Sequence, residues 1–262
     1  METDSPIINK VIENIRNQFK EKKEDQVVFK EKECPLCGGK KLQEVGPNIW
    51  RKCKCTELEE VEELWNKSDM GFDSMTKTWQ NFEPVTQSQK DMKNIATNYF
   101  LRFKHIRNTE QNSIMFLGQS GCGKTHLLSA TAYKLIKDSK VGVVYMSFVD
   151  AMTKLKQDKA PDPQKYQRMI NKYKNCEVLF IDDFLKGKVT ESDTTIAFEI
   201  INFRINKRLP LMISSERFLD ELNKYDNATM GRMFRASQGY IKQVEGKEND
   251  YRLRTYYAKG GK

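Results

Sequence analysis

The sequence predicts an α/β domain, a parallel sheet covered by helices on both faces, preceded by a small cysteine-rich module. Three observations carry this. From residue 89 onward, short continuous apolar runs alternate with amphipathic helical stretches, the pattern of strands buried on both sides. A run of the form G-x-x-x-x-G-K-[ST] stands between one such strand and a helix. Four of the six cysteines fall between Cys34 and Cys55. The 262 residues suit a mid-sized domain with a small module attached. The expected division is a module over 1–66, a linker over 67–88 and the larger domain over 89–262.

Taken in order, Ile7, Ile8, Val11, Ile12, Ile15 and Phe19 form the stripe of an amphipathic helix over 6–20. The cysteine segment follows, then a second helix over 56–65 with Leu58, Val61, Leu64 and Trp65 on one side. Residues 66–88 have weak periodicity and several turn formers, hence the linker and the entry into the second domain. In the larger domain, Met92, Ile95, Ala96, Tyr99, Phe100 and Phe103 mark a helical face. Strands are expected at 114–117, 141–146, 178–181 and 211–213. Helices are expected at 124–137, on either side of Pro161-Asp162-Pro163, at 196–207 and, briefly, at 218–222.

Composition narrows the class. No apolar run approaches the 18 or more residues of a membrane span, and METDSPIINK lacks a signal-peptide core, so a cytoplasmic protein without a membrane partner is expected. In a reducing compartment the cysteines favour metal binding or packing over disulfides. Residues 1–70 carry 13 Lys and Arg against 15 Asp and Glu, whereas residues 71–262 carry 32 against 21. A basic excess confined to the larger domain fits either a polyanion partner or a Lys-rich surface.

The glycine-rich run is Gly118-Gln119-Ser120-Gly121-Cys122-Gly123-Lys124-Thr125. Glycines let successive backbone N–H groups face phosphates, and the helix that follows adds its positive N-terminal end. Lys124 is expected to reach the β- and γ-phosphates of ATP and Thr125 to ligate Mg²⁺. Cys122 fills a free position as a small residue. Carboxylates at the end of a neighbouring strand complete such a site, and Val178-Leu179-Phe180-Ile181-Asp182-Asp183 supplies them. Asp182 would hold Mg²⁺ through water, and Asp183 would orient or deprotonate the attacking water. Ser214-Ser215-Glu216 ends the next strand, either pointing toward the γ-phosphate or capping the short helix after it.

Cys34-Pro35-Leu36-Cys37 and Cys53-Lys54-Cys55 form two close pairs. Thiolates two or three positions apart on tight turns reach one metal, and two pairs complete a tetrahedron. His105 and His126 lie elsewhere, so the expected set is four sulfurs around a structural Zn²⁺, with the metal supplying much of the module's folding energy.

These motifs together resemble the DnaC/DnaI-type replicative helicase loaders of bacteria and their phages, members of the AAA+ ATPases. The P-loop followed by His126-Leu127-Leu128 is similar to the G-K-T-H-L run shared with DnaA-type initiators and IstB-type transposition helpers. Thr78-Trp79-Gln80-Asn81-Phe82 is similar to the aromatic entry motif. Asn202-Phe203-Arg204 and Leu209 to Ser215 resemble the approach to the sensor strand, and Asp250-Tyr251-Arg252-Leu253 a C-terminal strand. The resemblance implies an AAA+ fold behind a helical, zinc-ribbon-like N-terminal domain that binds a hexameric replicative helicase. It also implies an ATPase domain that binds single-stranded DNA and self-associates. Met230-Gly231-Arg232-Met233 resembles the segment carrying an arginine finger in trans, making Arg232 the candidate and Arg235 its competitor; Arg252 is a weaker phosphate-sensing candidate. Two departures stand out. Glu216 replaces the usual Asn of the sensor strand, leaving Ser214 or Ser215 to sense, and Phe184-Leu185-Lys186 after the aspartates implies slow hydrolysis. DNA contact is expected where Phe148, Lys154, Lys156, Lys159, Lys165, Tyr166 and Arg168 interleave bases and aromatics. A transposition helper, and an ATP-gated adaptor or inhibitor with little turnover, are the competing readings.

Overall fold

The computed structural model describes Cys34 and residues 36–253; the expected helix over 6–20 lies outside them. The chain divides into two compact units, residues 1–66 and 67–262.

In the first unit a turn at 36–39 leads into a hairpin of β1 (Leu42–Gly46) and β2 (Ile49–Lys52), which the sequence reading did not anticipate. The strands pair antiparallel, with Asn48 in the left-handed region at the turn (φ 61°). Helix α1 (Lys54–Lys67) follows at once. The hairpin has almost no core: all four residues of β2 are exposed, Ile49 and Trp50 by more than half.

The second unit is built on five strands: β3 (Ile114–Gly118), β4 (Val143–Ser147), β5 (Val178–Asp182), β6 (Leu211–Ser215) and β7 (Ile241–Val244). Their order is β4-β5-β6-β3-β7 and every neighbouring pair is parallel. Side chains alternate between the two faces. Met115, Leu117, Val144, Met146, Leu179, Ile181, Leu211 and Ile213 join one apolar cluster. That cluster takes in residues of α5 (Phe148–Asp158), α6 (Pro163–Asn175), α7 (Glu191–Asn206) and α9 (Asn227–Ala236). The alternate residues Ile114, Phe116, Val178, Phe180 and Met212 are buried as well, on the side covered by α3 (Gln87–Ile106) and α4 (Lys124–Ser139). Helix α8 (Leu219–Asn223) is a single short turn after β6.

Three expectations change. Residues 67–88 are more than a linker into the second domain: Ser68 accepts a backbone hydrogen bond from Tyr145 (2.7 Å), helix α2 forms over Phe72–Thr76, and Met70 and Phe82 are buried. Helix α7 begins at Glu191 rather than 196, because Thr190 and Asp193 close a capping box ahead of the apolar stripe. The fifth strand is Ile241–Val244, a half-polar segment, whereas 251–253 turns helical, with Asp250 Oδ1 accepting the Arg252 and Leu253 amides at 2.9 and 3.2 Å as an N-cap does.

A buried cation locks the far end of the sheet. Arg204 is fully buried and its guanidinium donates to the carbonyls of Tyr173, Lys174, Cys176, Glu177 and Pro210 at 2.8–3.2 Å. It thereby ties the end of α6 to the segments entering β5 and β6. Among the described residues no helix is long and apolar enough to cross a membrane.

Candidate functional site

The glycine-rich run forms the loop between β3 and α4, at the end of the sheet where the strands finish. Gly118 stands at φ 109°, and a Cβ there would lie 1.9 Å from the Val244 carbonyl oxygen, so β7 passes too close for any side chain. Gly123 caps α4 at φ 97° with the Phe82 ring against it. That contact gives the aromatic entry segment its role: it props the loop from beneath. His126 binds the same segment, its Nε2 lying 2.9 Å from the Thr78 carbonyl oxygen and 3.0 Å from Asn81 Oδ1. Both partners accept, so Nε2 carries the proton. Burial holds this imidazole below its ordinary pKa, against the Thr78 bond.

Lys124 is buried, and its ammonium donates to the carbonyls of Gly118 (2.7 Å) and Gln119 (2.6 Å). Burial lowers its pKa while Cys122, Glu216, Asp183 and Asp182 act the other way. Cys122 is buried and bonded to the Gln119 carbonyl, the packing role expected of it.

The acidic strand is not the neighbour of the loop strand. Strand β6 lies between β3 and β5, yet the end of β5 still reaches α4. Asp182 accepts from the Thr125 hydroxyl (2.8 Å), from the Tyr145 phenol (3.0 Å) and from Ser214 of the intervening strand. Hydroxyl and carboxylate oxygens in contact are a hard donor set that fits Mg²⁺. Asp183 stands in the left-handed region (φ 56°), its amide donating to Ser214 Oγ at 3.0 Å. Gly121, Cys122, Gly123, Lys124, Thr125, Asp182 and Asp183 line one cleft of about 470 Å³, which Ser120, His126, Lys186, Glu216, Tyr251 and Arg252 also reach.

The end of β6 differs from expectation. Ser214 is occupied with Asp182, and Ser215 turns away to donate to the Phe184 carbonyl at 2.7 Å; both are fully buried and neither lines the cleft. Glu216, discounted as a departure from the family pattern, faces the cleft instead. Its partner is Lys186, whose ammonium lies 3.1 Å from Glu216 and 3.0 Å from Asp183. Burial opposes ionisation of Glu216, but Lys186 and Ser120 hold its carboxyl below the ordinary range. Sequence reasoning passed over Lys186 as an insertion after the aspartates, and no motif marks it.

Arg252 reaches the loop, 3.3 Å from Ser120 Oγ. Arg232 does not line this cleft; it is exposed on α9 with a hydrogen bond to Asn202 (3.0 Å). Arg235 is paired with Glu110 instead. The interleaved basic and aromatic segment does not form a stacking platform. Phe148 is buried edge-on against Phe184, and Tyr166 packs on the core. Lys156 pairs with Asp193 and Lys165 with Asp158, which leaves Lys154, Lys159 and Arg168 on the exposed face.

In the first unit the Cys34, Cys37, Cys53 and Cys55 sulfurs all lie within 4.8 Å of one another. The Cys34–Cys53 and Cys37–Cys55 separations are 3.8 and 3.6 Å, against about 3.8 Å for the edge of a tetrahedron of sulfurs around Zn²⁺. All six cysteines are free thiols. Against desolvation, a backbone hydrogen bond at Lys41 and the neighbouring sulfurs bring Cys37 to about 7, while burial and neighbouring sulfurs push Cys55 up to about 12. Four sulfurs at this spacing are a soft donor set that fits zinc with no open position.

The family model of the bacterial DnaA ATPase domain matches residues 81–237. The phage-like element PBSX protein XkdC of Bacillus subtilis (strain 168) is 31% identical over 220 residues, covering 81% of each chain. An ATP-binding protein of insertion sequence IS232 from Bacillus thuringiensis subsp. berliner is 27% identical, covering 64% of this chain and 68% of its own. The crystal structure of the DnaC helicase loader superposes with a TM-score of 0.56 at 17% identity, over 67% of this chain and all of that one. With the sheet order, the loop and its acidic strand in place, the chain belongs to the AAA+ ATPase family of the bacterial DnaA ATPase domain and has the fold of the DnaC-type helicase loaders.

Proposed function

We propose that the protein binds ATP and Mg²⁺ in the cleft at the end of β3 and β5, and that it acts as an ATP-dependent loader placing a hexameric replicative helicase on single-stranded DNA. The observation that carries the nucleotide reading is the direct Thr125–Asp182 contact beside the buried Lys124, formed across an intervening strand. Bound Mg²⁺ would neutralise charge on the β- and γ-phosphates. The chain's own residues do the rest. The glycine loop presents its amides, Lys124 moves from the Gly118 and Gln119 carbonyls to the phosphates, and Asp183 orients the attacking water. Tyr145 and Ser214 donate to Asp182 and keep its carboxylate aimed at Thr125. Arg232 is assigned to a neighbouring copy's γ-phosphate and Arg252 to the loop side of the same site.

The loader reading adds the cysteine module. A zinc-held hairpin with Ile49 and Trp50 exposed suits a docking unit for a protein partner, and the basic excess of residues 71–262 suits single-stranded DNA, bound through charge rather than through Phe148. A cytoplasmic site of action follows from that partnership. The relative from an insertion sequence favours one alternative, a transposition helper; the cysteine module is the feature that such a helper is not expected to carry. The deciding experiment incubates the full chain with a purified hexameric helicase and circular single-stranded DNA, scoring helicase bound to DNA and ATP hydrolysed. Loading that requires ATP and fails in Asp183→Asn supports the proposal. Helicase binding without stimulated turnover or loading makes the protein an adaptor, and no helicase binding removes the assignment.

A further inference from the structure

The loop after β5 is held more firmly than a surface turn needs. Phe184 and Leu185 are fully buried, although Leu185 is a non-glycine residue in the left-handed region (φ 56°), two positions after Asp183 in the same conformation. Such backbone is costly and persists only where its surroundings enforce it. Here they do. Ser215 bonds the Phe184 carbonyl (2.7 Å), and Arg217 bonds the carbonyls of Leu185 (2.6 Å) and Gly187 (2.9 Å). The Phe184 amide returns to the Ser214 carbonyl (2.8 Å). The product of this clamp is one side chain in the cleft: Lys186, between the carboxylates of Asp183 and Glu216.

The charges explain why it is needed. Glu216 lines the cleft together with Ser120 and Lys124, and bare it would repel the extra charge that a triphosphate carries over a diphosphate. We propose that Lys186 is a positioning residue for ATP: it neutralises Glu216, holds Asp183, and so gives the cleft its preference for ATP over ADP. The lysine and the glutamate form a compensating pair, each tolerable at the cleft because of the other. This inference rests on the nucleotide-binding reading above. As an exposed ion pair it contributes little to stability.

The test measures ATP and ADP affinity, with Mg²⁺, for the full chain and for Lys186→Gln, Glu216→Gln and the double variant. Lys186→Gln is expected to lose about tenfold or more in ATP affinity, because the Glu216 carboxylate is left uncompensated in the cleft, with ADP affinity within about twofold. Glu216→Gln in the same chain is expected to recover most of that loss, which a merely structural lysine would not allow. Melting temperatures should agree within about 2 °C. An unchanged ATP-to-ADP ratio in Lys186→Gln, or no recovery in the double variant, overturns the inference while leaving nucleotide binding intact. If the unaltered chain binds neither nucleotide, the functional reading itself falls and this inference with it.

Discussion

The two units solve the problem of holding a site still by opposite means. The cysteine module places its four sulfurs with a turn, an exposed hairpin and the start of α1, and among its described hairpin residues none is buried. The nucleotide cleft is placed by a five-stranded sheet whose β3, β5 and β6 are buried at every position. A small unit has little apolar area to offset the entropy of ordering its chain, and four sulfurs at metal-ligand spacing are what its described residues offer in place of a core. The larger unit has that area and can spend conformational strain, as at Asp183 and Leu185, on its site. Fragility should therefore be chemical in one unit and mechanical in the other.

Removing the metal is the harshest way to break the contrast. Cys53→Ser, or a strong chelator, is expected to unfold the module, because a zinc held by the four cysteines would supply on the order of 10 kcal/mol of folding energy. Hydrogen exchange over 36–66 should become unprotected while 114–215 stays as before, and metal analysis should fall from one zinc per chain to none. Equal loss of protection in both units would show that they do not fold independently. Next in size comes Arg204→Ala, which strands five carbonyls from their shared donor. A loss of about 3–5 kcal/mol in the second unit is expected in denaturant unfolding, with zinc content unchanged.

A smaller effect, confined to binding, is expected of Lys124→Ala: about a hundredfold weaker ATP affinity with the melting temperature nearly preserved, since its ammonium meets only groups of its own loop, two carbonyls and the Cys122 sulfur. Titration with a fluorescent nucleotide checks it, and full retention of affinity would remove the loop from the site. The smallest is a pH effect at His126. Its pKa is lowered in the folded state, so between that value and about 6.5 the unfolded chain binds more protons than the folded one. Stability present above about pH 6.5 is therefore lost as pH falls through that window. Melting curves from pH 8 to 5.5 should slope less for His126→Gln than for the unaltered chain; parallel slopes would mean that the imidazole plays no part.

Much of the site was legible because its parts are local. Gly118 to Thr125 must bend as they do whatever surrounds them, an acidic pair after four apolar residues must emerge at a strand end, and cysteines at these spacings must converge on tight turns. Only the tertiary structure decided the rest. It placed β6 between the loop strand and the acidic strand, sent Ser215 to a carbonyl, brought Glu216 and Lys186 into the cleft, and buried Phe148 that had looked free to stack. Strand order and side-chain direction depend on which distant segments share a face, through contacts between residues tens to more than a hundred positions apart, and no short window of sequence carries that information. Arg204 makes the same point: five carbonyls waiting for one donor exist only once α6, β5 and β6 have met.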